Sequence, residues 1–576
     1  MAGGVRRQRG QSVASVRVGI GVNTVSRGRV ASRLREGLSS RVVWILPFAL
    51  VGAFYASTRL ALLRRFPGFI DEAAYASWAL RVHDSVNDRF VALAYGKLPL
   101  LSWLGAGLVF AGIGPLDAVR IVSILAGLGT MVIAALLAGR LGGRPAALTA
   151  AMFYAVLPLA FVHDVIGVME PLVTALLAVA LYLQVRLAER PQVVTGLLLG
   201  LTMGAALLTK ETGMFALVLL PASLLAFDWE GDRLGRRLLS WIGCAGTSLA
   251  LTAIVYLVLT LSELWDDYPR ARESLGIVRS FGDGVAHPWR WIQETWPTYR
   301  PELVGYVTVP IALAVVVGVI FAFRRNVRLA SIFLLWLLAP LFVDLIFLPG
   351  AFTRYLVPMS PLIALFAGYG VVRGGQVLAQ ATRRSHQTKW ITAGVALVVV
   401  STALVLDARV LANPSTAPYP GSSRGEYATG WGAGTGWPQL AAELRLRATN
   451  GPIVVASYAG QTEALPLLLR TDGRIQIVRG QPGQSGPEAS ADYIVENGTP
   501  LPPDAGVGTL RPVWTFHRPQ AGTPIVLYRR GVVWQGTFYE TPDALRRGLA
   551  VSDPAFDRFI AAHSRIRAWY VAESSR

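Results

Sequence analysis

The sequence predicts a polytopic α-helical membrane protein, with about eleven spans plus juxtamembrane helices, ending in a small extracytoplasmic α/β domain. Three observations predict this. Hydrophobic residues make up 53% of the 576-residue chain and charged residues 15%, where an average soluble domain carries about 25% charged residues. Apolar runs of roughly 15–23 residues recur, each near the length that crosses ~30 Å of hydrocarbon. The basic excess, a formal net charge of +19, sorts onto alternate loops. Together with a mean hydropathy of +0.46, this excludes a disordered chain and an ordinary soluble enzyme. A basic excess of that size in a soluble protein would raise nucleic acid as a partner. Here it belongs to cytoplasmic loops, so the expected partner is the lipid bilayer and no nucleic acid is expected.

Taken in order, residues 1–41 hold nine Arg and one Glu among Gly, Ser and Val, and read as a solvated, disordered basic tail. Arg6-Arg7 lacks the closely following apolar region of a twin-arginine signal. Spans are expected near 42–63, 118–138, 145–162, 171–185, 193–208, 213–227, 240–262, 303–323, 329–348, 355–372 and 390–406. Together, 42–406 form the membrane domain. A further run, 98–113, is ambiguous, and charge resolves it. With a cytoplasmic N-terminus and 98–113 not crossing, the inner loops carry 23 basic and 5 acidic residues, the outer loops 12 and 15. This obeys the positive-inside rule. If 98–113 crossed, every later basic loop would move outside, so it is read as a juxtamembrane helix on the outer face. The chain is expected in the cell membrane, multi-pass, with residues 407–576 outside.

That tail differs in kind. It is rich in Gly and Pro, and short strands and helices alternate: a helix over 438–447, a strand Pro452–Ser457, a helix over 461–469, then strands at Ile475–Val478, 491–495 and 524–529, with a helical end. Gly430–Gly436 lacks the Lys-Ser/Thr ending of a phosphate-binding loop and reads as a flexible loop. Asn497-Gly-Thr499 matches a glycosylation sequon of a kind common by chance. Cys244, the one cysteine, excludes an intramolecular disulfide and reads as a small core residue. No fixed-period repeat stands out.

The informative residues are ionisable groups at the outer ends of spans, because a charge buried near a bilayer is costly and is a functional hypothesis by default. They are Asp71, Glu72 and Tyr75 after the first span, then Lys97; His163, Asp164 and Glu170; Lys210; and Arg354 with Tyr355. All can converge on one membrane-level cavity. The chemistry they suit is transfer from a phosphate-linked lipid. Cations hold the charge developing on a phosphate leaving group, and Lys97, Lys210 and Arg354 are candidates. A base must accept the acceptor hydroxyl's proton, and Asp71 and Glu170 are candidates. A phosphate leaves readily, so no general acid is needed, and one base with a cationic clamp gives single-step displacement with inversion. Each residue also has a plainer account: a solvated Asp71-Glu72 pair, a lysine snorkelling to headgroups, an Arg354-Tyr355 interfacial anchor, a His163 helix cap. Arg59, Arg120 and Asp344 are read as pairing with loop charges. The aromatics of 263–302 read as a belt, or as a lid or lipid-facing helix. No His/Asp/Glu cluster has metal spacing; His163-Asp164 alone is too little, so no cofactor is assigned and a divalent metal is unsupported.

Five stretches in order carry a resemblance: Phe69-Ile-Asp-Glu-Ala-Ala-Tyr-Ala, Lys97-Leu-Pro-Leu-Leu-Ser-Trp-Leu, Glu170-Pro-Leu-Val-Thr-Ala-Leu-Leu-Ala, Leu207-Leu-Thr-Lys-Glu-Thr-Gly and Arg354-Tyr-Leu-Val-Pro-Met-Ser-Pro-Leu. Over residues 42–372 this resembles the GT-C glycosyltransferases of the protein O-mannosyltransferase and lipid A aminoarabinose transferase type (glycosyltransferase family 39-like). Tyr427–Trp437 is similar to a stretch in bacterial relatives of undefined substrate. The resemblance implies a polyprenyl-phosphate-linked sugar donor, an outward-facing site, and a protein, lipid or polysaccharide acceptor. It implies Asp71 as the catalytic carboxylate, Lys97 as a donor phosphate contact and Arg354 as the Arg of the family's Arg-Tyr motif. Two departures stand out: the family's Lys-Pro-Pro reads Lys-Leu-Pro, and the second acidic position, usually Asp, is Glu170. Adjacent helical side chains diverge by about 100°, so Asp71 and Glu72 are not expected to act as one dyad, and substitution at Glu72 is expected to be the milder. The competing class is a polytopic transporter or lipid flippase. Against it, the halves show no inverted or parallel repeat, and the charges cluster at one face rather than a midplane site.

Overall fold

The computed structural model describes residues 44–230, 234–276, 278–350, 352–457, 464–479, 491–498, 509–534, 537–539 and 558. The basic tail 1–41 and the expected helical end lie outside the described residues. The chain divides into two compact units, 1–50 and 51–576. Of the first, residues 44–50 open the apolar helix Trp44–Leu62.

Among the described residues, seven helices are long and apolar enough to cross a membrane: Trp44–Leu62, Pro115–Val156, Met169–Glu189, Leu234–Leu261, Val327–Phe347, Thr353–Ala381 and Ser385–Ala412. An eighth arises if Pro288–Val307 and Val309–Arg325, bent by 88°, count as one span. The eleven expected runs all coincide with helical segments, and the difference in number has local causes. The runs 118–138 and 145–162 are parted where expected: the stretch Pro115–Val156 leaves helical geometry at Gly143 (φ 66°), within the gap between them, although it passes the length test as one helix. Glycine takes that left-handed conformation without a Cβ penalty, and Pro145 follows it. The runs 193–208 and 213–227 fall in shorter apolar helices, Val193–Thr209 and Glu211–Ala226. The expected run 303–323 straddles a turn: the chain bends at Thr308 (φ 62°), so 303–307 end one helix and the next begins at Val309. Residues 98–113 contain an 11-residue helix, Leu100–Phe110. At 1.5 Å per residue it spans about 16 Å, too short for ~30 Å of hydrocarbon.

Thr353–Ala381 is the central span, with 94% of its apolar window enclosed by protein, against 17% for Ser385–Ala412. It packs closely through small residues, the usual device where lipid supplies no hydrophobic drive between helices. A Cβ on Gly318 would lie 1.9 Å from the Phe366 carbonyl oxygen, so the two backbones touch there.

Beyond the last membrane-length helix the chain builds a mixed sheet, which among the described residues has the strands β1 (Ile453–Ser457), β2 (Ile475–Arg479), β3 (Tyr493–Asn497), β4 (Thr509–Phe516), β5 (Ile525–Trp534) and β6 (Thr537–Tyr539), in the order β2-β1-β3-β5-β4 with β6 on β5. β1 runs parallel to β2 and β3; β5 runs antiparallel to β3 and β4. Helix Trp437–Arg447 lays Leu440, Ala441 and Leu444 onto a core with Val455, Val495 and Leu527. Four of the six strands match sequence expectations. β4 carries Arg511 and Pro512 and shifts register between Pro512 and Trp514, which blurs its alternation. The Asn497 of the sequon is buried in β3 and takes the Arg518 guanidinium on its Oδ1 at 2.7 Å.

Candidate active site

Helix Ile70–Asp84 starts at Phe69, whose N–H donates to Glu72 Oε2 at 3.2 Å. Glu72 is wholly buried. Arg120 donates to it through Nε at 2.6 Å and Nη2 at 2.7 Å, and the Gly167 N–H donates at 2.7 Å. Arg120 also reaches the Leu63 and Pro67 carbonyls. Glu72 is therefore a locking group that fixes where this helix begins.

Asp71, one residue earlier, turns the other way. Its Oδ2 receives Arg354 Nη2 at 2.9 Å, and its side chain keeps 32% exposure. Arg354 lies at the start of the central span, among the rings of Phe69, Phe352 and Tyr355. Its Nε lies 3.5 Å from Glu170 Oε1, and its Nη1 pairs with Glu426. Glu170, in the first turn of Met169–Glu189, holds Lys210 Nζ at 2.6 Å. That ammonium also sits 3.7 Å from the Tyr355 ring centroid, a cation–π distance.

One pocket is lined by Asp71, Tyr75, Lys97, Glu170, Lys210, Arg354 and Tyr355, with Leu98, Met169, Glu211 and Arg272. Five separate segments supply the seven residues singled out from sequence. Lys97 makes no ion pair among the described residues. It follows Gly96, which sits at φ 64° and packs so closely that a Cβ there would lie 2.8 Å from Arg272 Cα. Glycine thus lets Lys97 and Arg272 line one pocket. Arg272 Nε and the Tyr268 hydroxyl donate to Glu211 Oε1 at 2.8 Å and 2.7 Å.

The remaining sequence candidates fall outside the lining. His163 is buried, its Nδ1 donating to the Leu159 carbonyl at 2.7 Å, its ring packed on Tyr306 and Tyr427. Asp164 is buried and accepts from the Tyr55 and Tyr154 hydroxyls. Arg120 pairs with Glu72, a carboxylate of helix Ile70–Asp84 and not of a loop; Arg59 instead donates to the Ala155 carbonyl at 2.8 Å and lies over the Tyr55 and Phe161 rings. Among the described residues, no three His, Cys, Asp or Glu side chains group as metal ligands would.

Three contributors were not singled out from sequence: Glu426, Glu211 and Arg272. The sequence signal for Glu426 lies next to it, in the stretch Tyr427–Trp437 that is similar to one in bacterial relatives. That stretch is no free loop. Ile70 N–H donates to the Gly432 carbonyl at 3.2 Å, Gly434 N–H to the Gly68 carbonyl at 2.5 Å, and Phe69 bridges Ala433. Arg518, from the strand domain, donates to the Ala433 and Thr435 carbonyls at 3.1 Å each. Burial pushes the Glu426 carboxyl up, against the pull of the Arg354 charge.

A family model described as dolichyl-phosphate-mannose-protein mannosyltransferase matches residues 97–258. No curated protein sequence matches the chain. Among solved structures, ArnT from Cupriavidus metallidurans in the apo state is similar: 16% identity, a TM-score of 0.57, covering 85% of this chain and 98% of that one. The same protein bound to undecaprenyl phosphate matches at 16% identity and 0.56, covering 84% and 98%. The apo oligosaccharyltransferase of Archaeoglobus fulgidus matches at 14% and 0.52, covering 79% and 69%. At these identities the likeness is one of fold. The chain has the GT-C membrane glycosyltransferase fold, and its residues 97–258 carry the match to the mannosyltransferase family model.

Proposed function

We propose that this chain transfers a sugar from a polyprenyl-phosphate-linked donor to an extracytoplasmic acceptor hydroxyl, with inversion. The observation that carries the reading is the pocket itself, which gathers a partly exposed carboxylate and four cations at one end of several spans. The acceptor oxygen attacks the anomeric carbon as Asp71 takes its proton, the bond from that carbon to the phosphate oxygen breaks, and polyprenyl phosphate leaves. Asp71 suits the base because it keeps solvent-facing surface and makes one ion pair. Glu170 suits an orienting role, since one oxygen is shared between Lys210 and Arg354 and its side chain is 5% exposed. Lys97, free of carboxylate partners among the described residues, suits the first phosphate contact, with Arg272 beside it. Lys210 and Arg354 would hold the charge that develops on the leaving group. The ArnT complex with undecaprenyl phosphate supports the donor class.

Nothing in the geometry favours a transporter. The charged groups gather at one end of the helices, whereas alternating access places its site near the midplane. The test is to incubate the purified protein with polyprenyl-phosphate-linked hexoses and pentoses and an envelope extract. Release of polyprenyl phosphate with label in an acceptor is expected. No release from any donor sinks the reading.

A further inference from the structure

Arg354 is ringed by carboxylates. A guanidinium is a donor only, and its three nitrogens here face three different carboxylates: Nη2 faces Asp71, Nε faces Glu170 and Nη1 faces Glu426. A donor phosphate approaching this arginine meets carboxylate charge at each nitrogen, so the charge balance of the site favours displacing one carboxylate over adding a fourth anion.

The three are not equally held. Asp71 is fixed in the first turn of a helix whose start is locked by Glu72 and Arg120. Glu170 has a second cation, Lys210, at 2.6 Å. Glu426 has Arg354 as its only cation among the described residues. It also sits on a single π-helical turn, Gly425–Thr429, with glycines at 425 and 430. π-helical geometry is rare, and a single turn bounded by glycines has little to hold it in place. Charge points the same way. A phosphodiester donor carries one negative charge, so replacing the Glu426 carboxylate leaves the buried balance unchanged, whereas adding the donor on top leaves an excess anion in a site where unpaired charge is costly.

We propose that Glu426 stands in for the donor phosphate on Arg354 and gives way when the donor binds. This deepens the donor reading above and rests on it. It gives the C-terminal domain a part in the site: the carbonyl of Thr429, at the end of the same turn, accepts the Thr523 N–H at 3.0 Å from the loop before β5. Donor occupancy would therefore be felt by the sheet.

The experiment is a titration of the full chain in nanodiscs with undecaprenyl phosphate. Glu426→Gln keeps the shape and removes the competing charge, and should bind about tenfold tighter, a shift of ~1.4 kcal/mol. Glu426→Asp pulls the carboxylate back by one methylene and should also bind tighter, by less. Thermal unfolding reports whether each variant is folded. Unchanged or weaker binding by either folded variant overturns the proposal while the donor reading stands. Failure of the wild-type protein itself to bind removes the donor reading and this inference together.

Discussion

Asp71 and Glu72 show what one residue's difference in position does. In sequence they are an undivided acidic pair. The helical period separates their side chains by about 100°, and the structure assigns the directions: Asp71 to the pocket, Glu72 to Arg120 and Gly167. Asp71→Asn keeps size and hydrogen bonding but removes basicity. Turnover should fall by about 10²-fold or more with undecaprenyl phosphate binding largely kept; near wild-type turnover would move the base to Glu170. Glu72→Gln, expected from sequence to be the milder change, now carries a different prediction. It strands the buried Arg120 charge, and removing one partner of a buried pair costs about 3–5 kcal/mol. The loss should appear as a lower unfolding temperature and poor yield, with residual turnover per folded molecule. A normal melting curve for Glu72→Gln would show that the lock is not structural. The divergence of the pair was legible in the sequence. The burial of Glu72 was not, because Arg120 lies 48 residues away and only the fold brings it close.

Elements were legible where hydropathy alone decides them. Every expected apolar run meets a helix, because burying or embedding about 20 apolar residues leaves few alternatives. What escaped was how runs join. Gly143 parts two runs inside their expected gap, but Thr308 cuts one run, and β4 hides behind a proline and a register shift. The turn before Lys97 was equally silent, since a glycine letter does not say what packs against it. Gly96 has left-handed backbone and lies against the backbone of Arg272. Gly96→Ala should strain the turn by about 1–2 kcal/mol and push Lys97 away from the Tyr268–Ser274 helix. The expected signature is a raised KM for the donor with kcat changed much less. If KM is unmoved, Lys97 does not depend on this turn and its place at the phosphate loses its support.

At the scale of the whole molecule, the charge bias and the site separately put the same loops on one face. The positive-inside count puts 23 basic residues on one side and leaves Asp71, Lys97, Glu170, Lys210 and Arg354 on the other. These five meet in one pocket, as they can only if the loops that carry them emerge on one face. The Ser385–Ala412 span then delivers the sheet domain to that same face, where residues 432–434 bond to 68–70 beside Asp71. The sequence could supply the sidedness of this tail but not its grip on the site, since that grip is made of backbone hydrogen bonds. Orientation is testable in a Cys244→Ala background, which removes the one native cysteine. Asn450→Cys, exposed at the turn after helix Trp437–Arg447, should react with a membrane-impermeant thiol reagent in intact cells. Ser385→Cys, exposed at the start of the last span beside Arg383 and Arg384, should react only after permeabilisation. The reverse pattern would put the basic loops and the active site on opposite faces from those proposed. Labelling of both in intact cells would show that Ser385–Ala412 does not carry the chain across the membrane.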